Sequence, residues 1–170
     1  MIAGVILSDS LEKDSKIAFL GDSLEVYSVE TNKEIVELFD EHQPEIVAFD
    51  VGMAQGAEEF TKDEQELQDE GYIFTPNSHQ EKKVERLQSL EKHVKHRLDY
   101  IPEFIRFEPQ ITSRELMIDD EMALNSFGIE GDIGGAKEFD AVLGAVTARF
   151  YSQGQYDEFG VVVPEGLDNS

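Results

Sequence analysis

Glu45-Ile46-Val47-Ala48-Phe49-Asp50-Val51-Gly52 is a strand-length apolar run that ends on a carboxylate. Pro44 precedes the run and Gly52 closes it. An apolar run bounded by such turn signals reads as a strand buried on both faces of a sheet. Asp50 then stands at the C-terminal end of a central strand, the edge where open α/β sheets build their sites. A carboxylate placed there needs a metal, a cation or backbone donors as partner. The plain alternative is a side chain that caps the following loop. A second carboxylate in a comparable setting, Asp140, weighs against that alternative.

The elements on either side are read outward from this strand. Residues 2–7 read as a first strand. Residues 16–21 and 24–29 read as a second and third, joined by the turn Gly21-Asp22-Ser23. Thr31 followed by Glu34 is a capping box that opens a helix, with Ile35, Val36, Leu38 and Phe39 as its apolar stripe. The strand ending at Asp50 should therefore pair parallel to the first. Beyond it, residues 53–70 are acidic and helical in pattern, and 72–75 reads as a short strand. Residues 79–98 form a basic amphipathic helix with Val84, Leu87, Leu90, Val94 and Leu98 at helical spacing. A strand at 103–108 closes at Pro109, and Ser113 begins a short helix. Asp119-Asp120-Glu121 reads as a loop or helix start. A strong helix covers 137–152, and Val161-Val162-Val163-Pro164 is a final short strand.

Composition bounds the answer. The 170 residues suffice for one domain with a substantial core. There is no Cys, so no disulfide, thiol nucleophile or thiolate metal site. No apolar run reaches the length of a membrane span, and the start has no basic n-region, so the expectation is a soluble cytoplasmic protein with no membrane partner. The net charge of −23 repels nucleic acid and anionic lipid. That charge is uneven. Lys82, Lys83, Arg86, Lys92, Lys95 and Arg97 face only Glu81, Glu85 and Glu91 in the basic helix, which also carries His79, His93 and His96 in or beside it.

The ordered set Val47-Ala48-Phe49-Asp50, the acidic stretch ending in Gly71-Tyr72, Ile105-Arg106-Phe107-Glu108-Pro109, Glu138-Phe139-Asp140-Ala141 and Gly160-Val161-Val162-Val163-Pro164 carries a resemblance. The chain resembles the "predicted nuclease" family of archaea and bacteria, a branch of the RNase H-like superfamily. The resemblance implies an α/β, RNase H-like fold. Its mixed sheet would have about five strands, the first three antiparallel, with helices flanking it. Residues 1–170 would form one domain, with 53–98 as a helical insertion after the central strand. It also implies divalent-metal-dependent phosphodiester hydrolysis, with Mg²⁺ or Mn²⁺ held by carboxylates of the first strand, the central strand and the last helix.

Carried onto this chain, the resemblance makes Asp50 and Asp140 the catalytic, metal-holding pair, with Asp9 or Glu138 as a substitute third ligand. Ile6 stands where the family has its first-strand Asp, and Arg106 where it usually has an acid. Both are expected to face the cleft, with Arg106 offsetting the repulsion between the two carboxylates. From these departures comes the alternative: a catalytically degenerate domain that binds a partner, a protein included, through the same cleft. Gly144 and Ala148 share a face with Asp140, so the last helix should lie close on the sheet and bring Asp140 to the strand ends. A competing reading makes Asp140 a first-turn acid that favours the helix dipole, and Glu138 reads more simply that way.

Glu108 before Pro109 is a weaker site candidate. Lys82, Lys83 and Arg86 are the candidate nucleic-acid contacts. Without aromatic interleaving or a Gly-rich phosphate loop, a surface helix with pairs such as Glu91–Lys95 is the simpler reading of that segment. His93 and His96 lack a third ligand nearby in sequence, and no Gly-x-Ser-x-Gly elbow exists.

Overall fold

The run ending at Asp50 forms β4 (Ile46–Phe49), and β1 (Ile2–Ile6) lies parallel beside it with Val5 opposite Phe49. The structure is a computed structural model that describes residues 1–9, 13–53 and 60–166. On its other side β1 pairs antiparallel with β2 (Ser15–Leu20), which in turn pairs antiparallel with β3 (Leu24–Val29). β5 (Glu103–Arg106) adds parallel to β4, so the five-stranded sheet runs β3-β2-β1-β4-β5. β4 is thus the inner strand of the parallel part, and β1 joins that part to the antiparallel one.

Both faces of the sheet are covered, which is why these strands read as continuous apolar runs. One face carries Ile6, Ala18, Leu20 and Ala48 under α6 (Ala136–Ser152). The opposite face carries Ala3, Val5, Ile17, Phe19, Val47 and Phe49. On it lie α1 (Asn32–His42), through Ile35 and Phe39, and α3 (Glu81–Arg97), through Val84, Leu87, Leu90 and Val94. Thr31 caps α1 as expected, its Oγ1 accepting from the Glu34 N–H at 3.2 Å. α3 therefore forms part of one layer of the sandwich.

α6 crosses β1 at a point without side chains. A Cβ built on Gly4 would lie 2.1 Å from the Ala141 carbonyl oxygen and 2.3 Å from the Ala145 nitrogen. One built on Gly144 would lie 2.7 Å from the Phe107 ring and 2.9 Å from the Gly4 Cα. Helix backbone rests directly on strand backbone there, as the small residues of the helix lead one to expect.

Three differences from the sequence reading have plain causes. Residues 72–75 form no strand; Tyr72 and Phe74 instead pack on Leu67, Ile111, Val161 and Val163. β5 stops at Arg106, because Pro109, pre-set for helical φ, begins α4 (Pro109–Leu116) rather than closing a strand. Among the described residues the last strand, β7 (Val162–Pro164), pairs with the polar β6 (Tyr156–Glu158), which no apolar run announces. α2 (Lys62–Asp69) and α5 (Glu121–Leu124) are short, and Asp120 caps α5. Part of the expected insertion, residues 54–59, lies outside the described residues.

Candidate active site

Asp50 leaves β4 toward the α6 face and is 8% exposed. Its N–H donates to the Val5 carbonyl at 3.3 Å, continuing the parallel ladder. Oδ1 accepts the Leu7 N–H at 3.1 Å, and Oδ2 receives the Lys83 ammonium at 2.7 Å. The cation on Asp50 is therefore Lys83, from the first turn of α3. Arg106, expected in that role, is held elsewhere: its Nη2 pairs with Glu64 at 3.0 Å and donates to the Thr75 carbonyl at 3.2 Å. By strand alternation Arg106 belongs with Phe104, on the face away from α6.

Two further carboxylates feel the charge of Asp50. Asp140 is half-buried on α6; burial raises its pKa, the Asp50 charge raises it further, and Lys83 opposes both. Glu108, 8% exposed, follows β5 at the N-cap of α4. Burial first, and Asp50 as well, push its pKa up to about 7 against the pull of Arg106, a Thr75 backbone hydrogen bond and Lys83. Asp50, Glu108 and Asp140 thus share one electrostatic environment with one ammonium in it. Ile6 does face α6 but is part of the core there.

The raised Glu108 pKa has a stability consequence with a definite sign. Between about pH 4.5 and pH 7 the folded chain keeps a proton that the unfolded chain has lost, so stability falls as pH rises through that window. The rise from the ordinary carboxylate range to about 7 corresponds to about 3 kcal/mol, lost as pH passes above 7. Glu108→Gln should therefore be more stable than wild type at pH 8 and no different at pH 4. Denaturant unfolding across that range checks it; a pH-independent difference would refute the raised pKa.

The 61–77 segment braces the site. Glu64, 1% exposed, accepts the Thr61 N–H at 3.0 Å and the Asn77 N–H at 2.9 Å besides pairing with Arg106. Burial pushes the Glu64 pKa up, but these donors and Arg106 outweigh it and hold the carboxyl below its usual range. Asn77 Oδ1 in turn accepts the Gly52 N–H at 3.2 Å, two residues beyond Asp50. Nothing in the acidic pattern of α2 marks Glu64 as the one buried acid beyond its place in the Thr61–Glu64 capping box.

The remaining sequence candidates fall as follows. Asp9 is exposed and lines a concavity of about 360 Å³ with Lys82, Lys83 and His79. Glu138 pairs with Lys16 at 3.2 Å and accepts the Gly135 N–H at 3.1 Å, the arrangement of a helix-start acid. Arg86 is turned inward: Nη1 donates to Ser8, Nη2 to the Glu30 carbonyl and Nε to Asn32. Lys82 is exposed at the mouth of the site. A separate groove of about 490 Å³ between α1 and α3 is lined by Lys33, Lys92, His93, His96 and Arg97 over Val36.

Hard oxygen donors of this kind suit Mg²⁺ or Mn²⁺. As placed, no three Asp, Glu or His among the described residues converge on one point. With Ile6 on β1, a four-carboxylate site does not fit. The charge does fit one ion: Asp50 and Asp140, both ionised, balance a single divalent cation. Two carboxylates and water could complete the shell of a single divalent ion, since Mg²⁺ keeps several waters.

No family model matches the chain, and no curated protein matches it. Solved structures do. "T. thermophilus RuvC in complex with Holliday junction substrate" aligns with a TM-score of 0.56 at 13% identity, covering 96% of this chain and 98% of that one. "Thermus thermophilus RuvC structure" aligns with a TM-score of 0.53 at 11% identity over the same shares. No helix among the described residues is long and apolar enough to cross a membrane. With the sheet order and the parallel β1–β4 pair already in place, these likenesses establish that the chain has the RNase H-like fold.

Proposed function

We propose that this chain is a divergent nuclease of the RNase H-like superfamily, of the predicted-nuclease branch, that hydrolyses phosphodiesters with a Mg²⁺ or Mn²⁺ ion held by Asp50 and Asp140. The observation that carries this reading is the buried Asp50 at the C-terminal end of the parallel strand β4, ion-paired to Lys83, with Asp140 and Glu108 within electrostatic reach of it. When bound, a divalent ion there supplies charge stabilisation of the phosphoryl oxygens and a more acidic water.

The chain's own residues do the rest. The Leu7 N–H fixes one oxygen of Asp50, so its carboxylate plane is set before any ligand arrives. Glu108, with a pKa of about 7, takes up a proton from an attacking water at neutral pH. A nucleic acid meets an acidic surface almost everywhere, so its phosphates would favour Lys82 at the mouth and the Lys33–Arg97 groove along α3. The RuvC structure with a Holliday junction shows that a chain of this fold binds a branched DNA.

The test is cleavage of single-stranded, duplex and branched DNA and of RNA with Mg²⁺ or Mn²⁺. Asp50→Asn and Asp140→Asn should each lower the rate by about two to three orders of magnitude. Cleavage by Asp50→Asn at the wild-type rate would sink the reading, as would no cleavage of any of these substrates.

A further inference from the structure

We propose that the Lys83 ammonium is the resident cation of this site, occupying Asp50 in the resting chain, and that a divalent ion is held by Asp50 and Asp140 only when Lys83 has swung away. This deepens the proposed function and rests on it: it names what controls loading of that same centre.

The geometry of the contact is the first support. Lys83 Nζ lies 2.7 Å from Asp50 Oδ2, with side chains 24% and 9% exposed, so the pair is largely desolvated. Asp50 Oδ1 is taken by the Leu7 N–H, which leaves Oδ2 as the oxygen a metal would need. Lys83 holds that oxygen.

The second support is the place of Lys83 in its helix. It is the third residue of α3, whose N-terminal end carries the positive pole of the helix dipole. A cation is disfavoured in that turn unless something local compensates it, and Asp50 is the compensation. The stem of four methylenes is flexible and its three donors rotate freely, so the ammonium can change partners without moving the helix. Room to do so exists. The concavity of about 360 Å³ beside the site is lined by Lys83 itself and by Asp9 and Glu81, whose carboxylates would receive the displaced ammonium. A phosphate entering from that side would receive it equally well, which makes metal and substrate help each other to bind.

The expected size follows from exclusion. A state in which Lys83 occupies Asp50 about nine-tenths of the time or more weakens the apparent affinity for the ion by about tenfold or more. Mn²⁺ binding to the 170-residue chain, followed by calorimetry, is the direct readout. Lys83→Met and Lys83→Gln should each bind Mn²⁺ at least about tenfold more tightly than wild type. Adding Asp50→Asn to either should remove the gain.

Melting in the absence of metal gives an independent measure. Both Lys83 variants should melt below wild type and regain the loss when Mn²⁺ is added, because the ion replaces the missing charge on Asp50. Gln keeps a polar head of similar reach where Met fails to fold. Lys83 variants that bind Mn²⁺ no better than wild type would overturn the inference and mark the contact as a fixed structural bridge. That failure is separable from failure of the metal site itself, which would show as wild-type Mn²⁺ binding undiminished by Asp50→Asn alone.

Discussion

Gly4→Ala is expected to destabilise the chain by about 3 kcal/mol or more, and Gly4→Val to prevent folding at physiological temperature. The added Cβ would lie 2.1 Å from the Ala141 carbonyl oxygen and 2.3 Å from the Ala145 nitrogen. Both are backbone atoms of α6, so no side-chain rotamer can relieve the overlap. The helix has to move off the sheet, and its buried run from Ala141 to Ala148 moves with it. Overpacking in cores ordinarily costs about 1–3 kcal/mol, and a collision with backbone belongs at or beyond the top of that range.

Gly71→Ala is the control. A methyl there would meet nothing within 4 Å, so only the strain of φ +85° remains, about 1 kcal/mol. Urea unfolding of the three variants separates the cases. A Gly4→Ala cost no greater than that of Gly71→Ala would show that α6 does not rest on β1. The same close approach sets the distance from Asp140 to Asp50, so Gly4→Ala should also weaken Mn²⁺ binding in whatever fraction remains folded.

The parts of the fold legible in the sequence are those where one local cause decides. The run 45–50 is apolar throughout because both faces of β4 are covered, and that pattern located both the strand and Asp50. The small residues on the Asp140 face of α6 announced the close crossing over β1 in the same way. Thr31 was readable because a cap bonds within three residues, whereas Asp120, read only as part of a loop or helix start, proves to cap α5. What was not legible depends on which distant group a charge meets. Glu64 is one acid among several on α2, and apart from its place in the capping box it is what packs over it that sets it apart from Glu66. Lys83 and Lys82 are adjacent in the same basic run, and only the position of α3 against Asp50 separates the ion-paired one from the exposed one. Glu108 looked secondary because its value as an acid comes from burial beside Asp50, a tertiary fact.

Arg106→Met is expected to cost about 3–5 kcal/mol at neutral pH, because it leaves the Glu64 carboxylate buried without its guanidinium. The Thr61 and Asn77 N–H groups still satisfy two of its lone pairs, which places the cost toward the lower end. The pH dependence identifies the cause. In wild type the Glu64 pKa is held below 4.5, so the stability it contributes is present above that value and is lost as pH falls through the lowered one. Without Arg106 the upward push of burial has less to oppose it. If burial prevails, stability of the variant instead falls as pH rises through about 4.5. The two stability curves should therefore approach each other in acid and separate toward neutrality. Adding Glu64→Gln to Arg106→Met should recover much of the loss, since the buried charge is then gone. Arg106→Glu, which would give β5 the acid expected of the resembled family, sets two buried carboxylates against each other and should be worse than Arg106→Met. A loss from Arg106→Met that is constant from about pH 4 to pH 8 would mean that Arg106 contributes through packing, not through Glu64. The brace also reaches the site, because Asn77 joins Glu64 to Gly52 beyond Asp50. Arg106→Met should accordingly weaken Mn²⁺ binding as well as stability, and the double variant should restore the second more fully than the first.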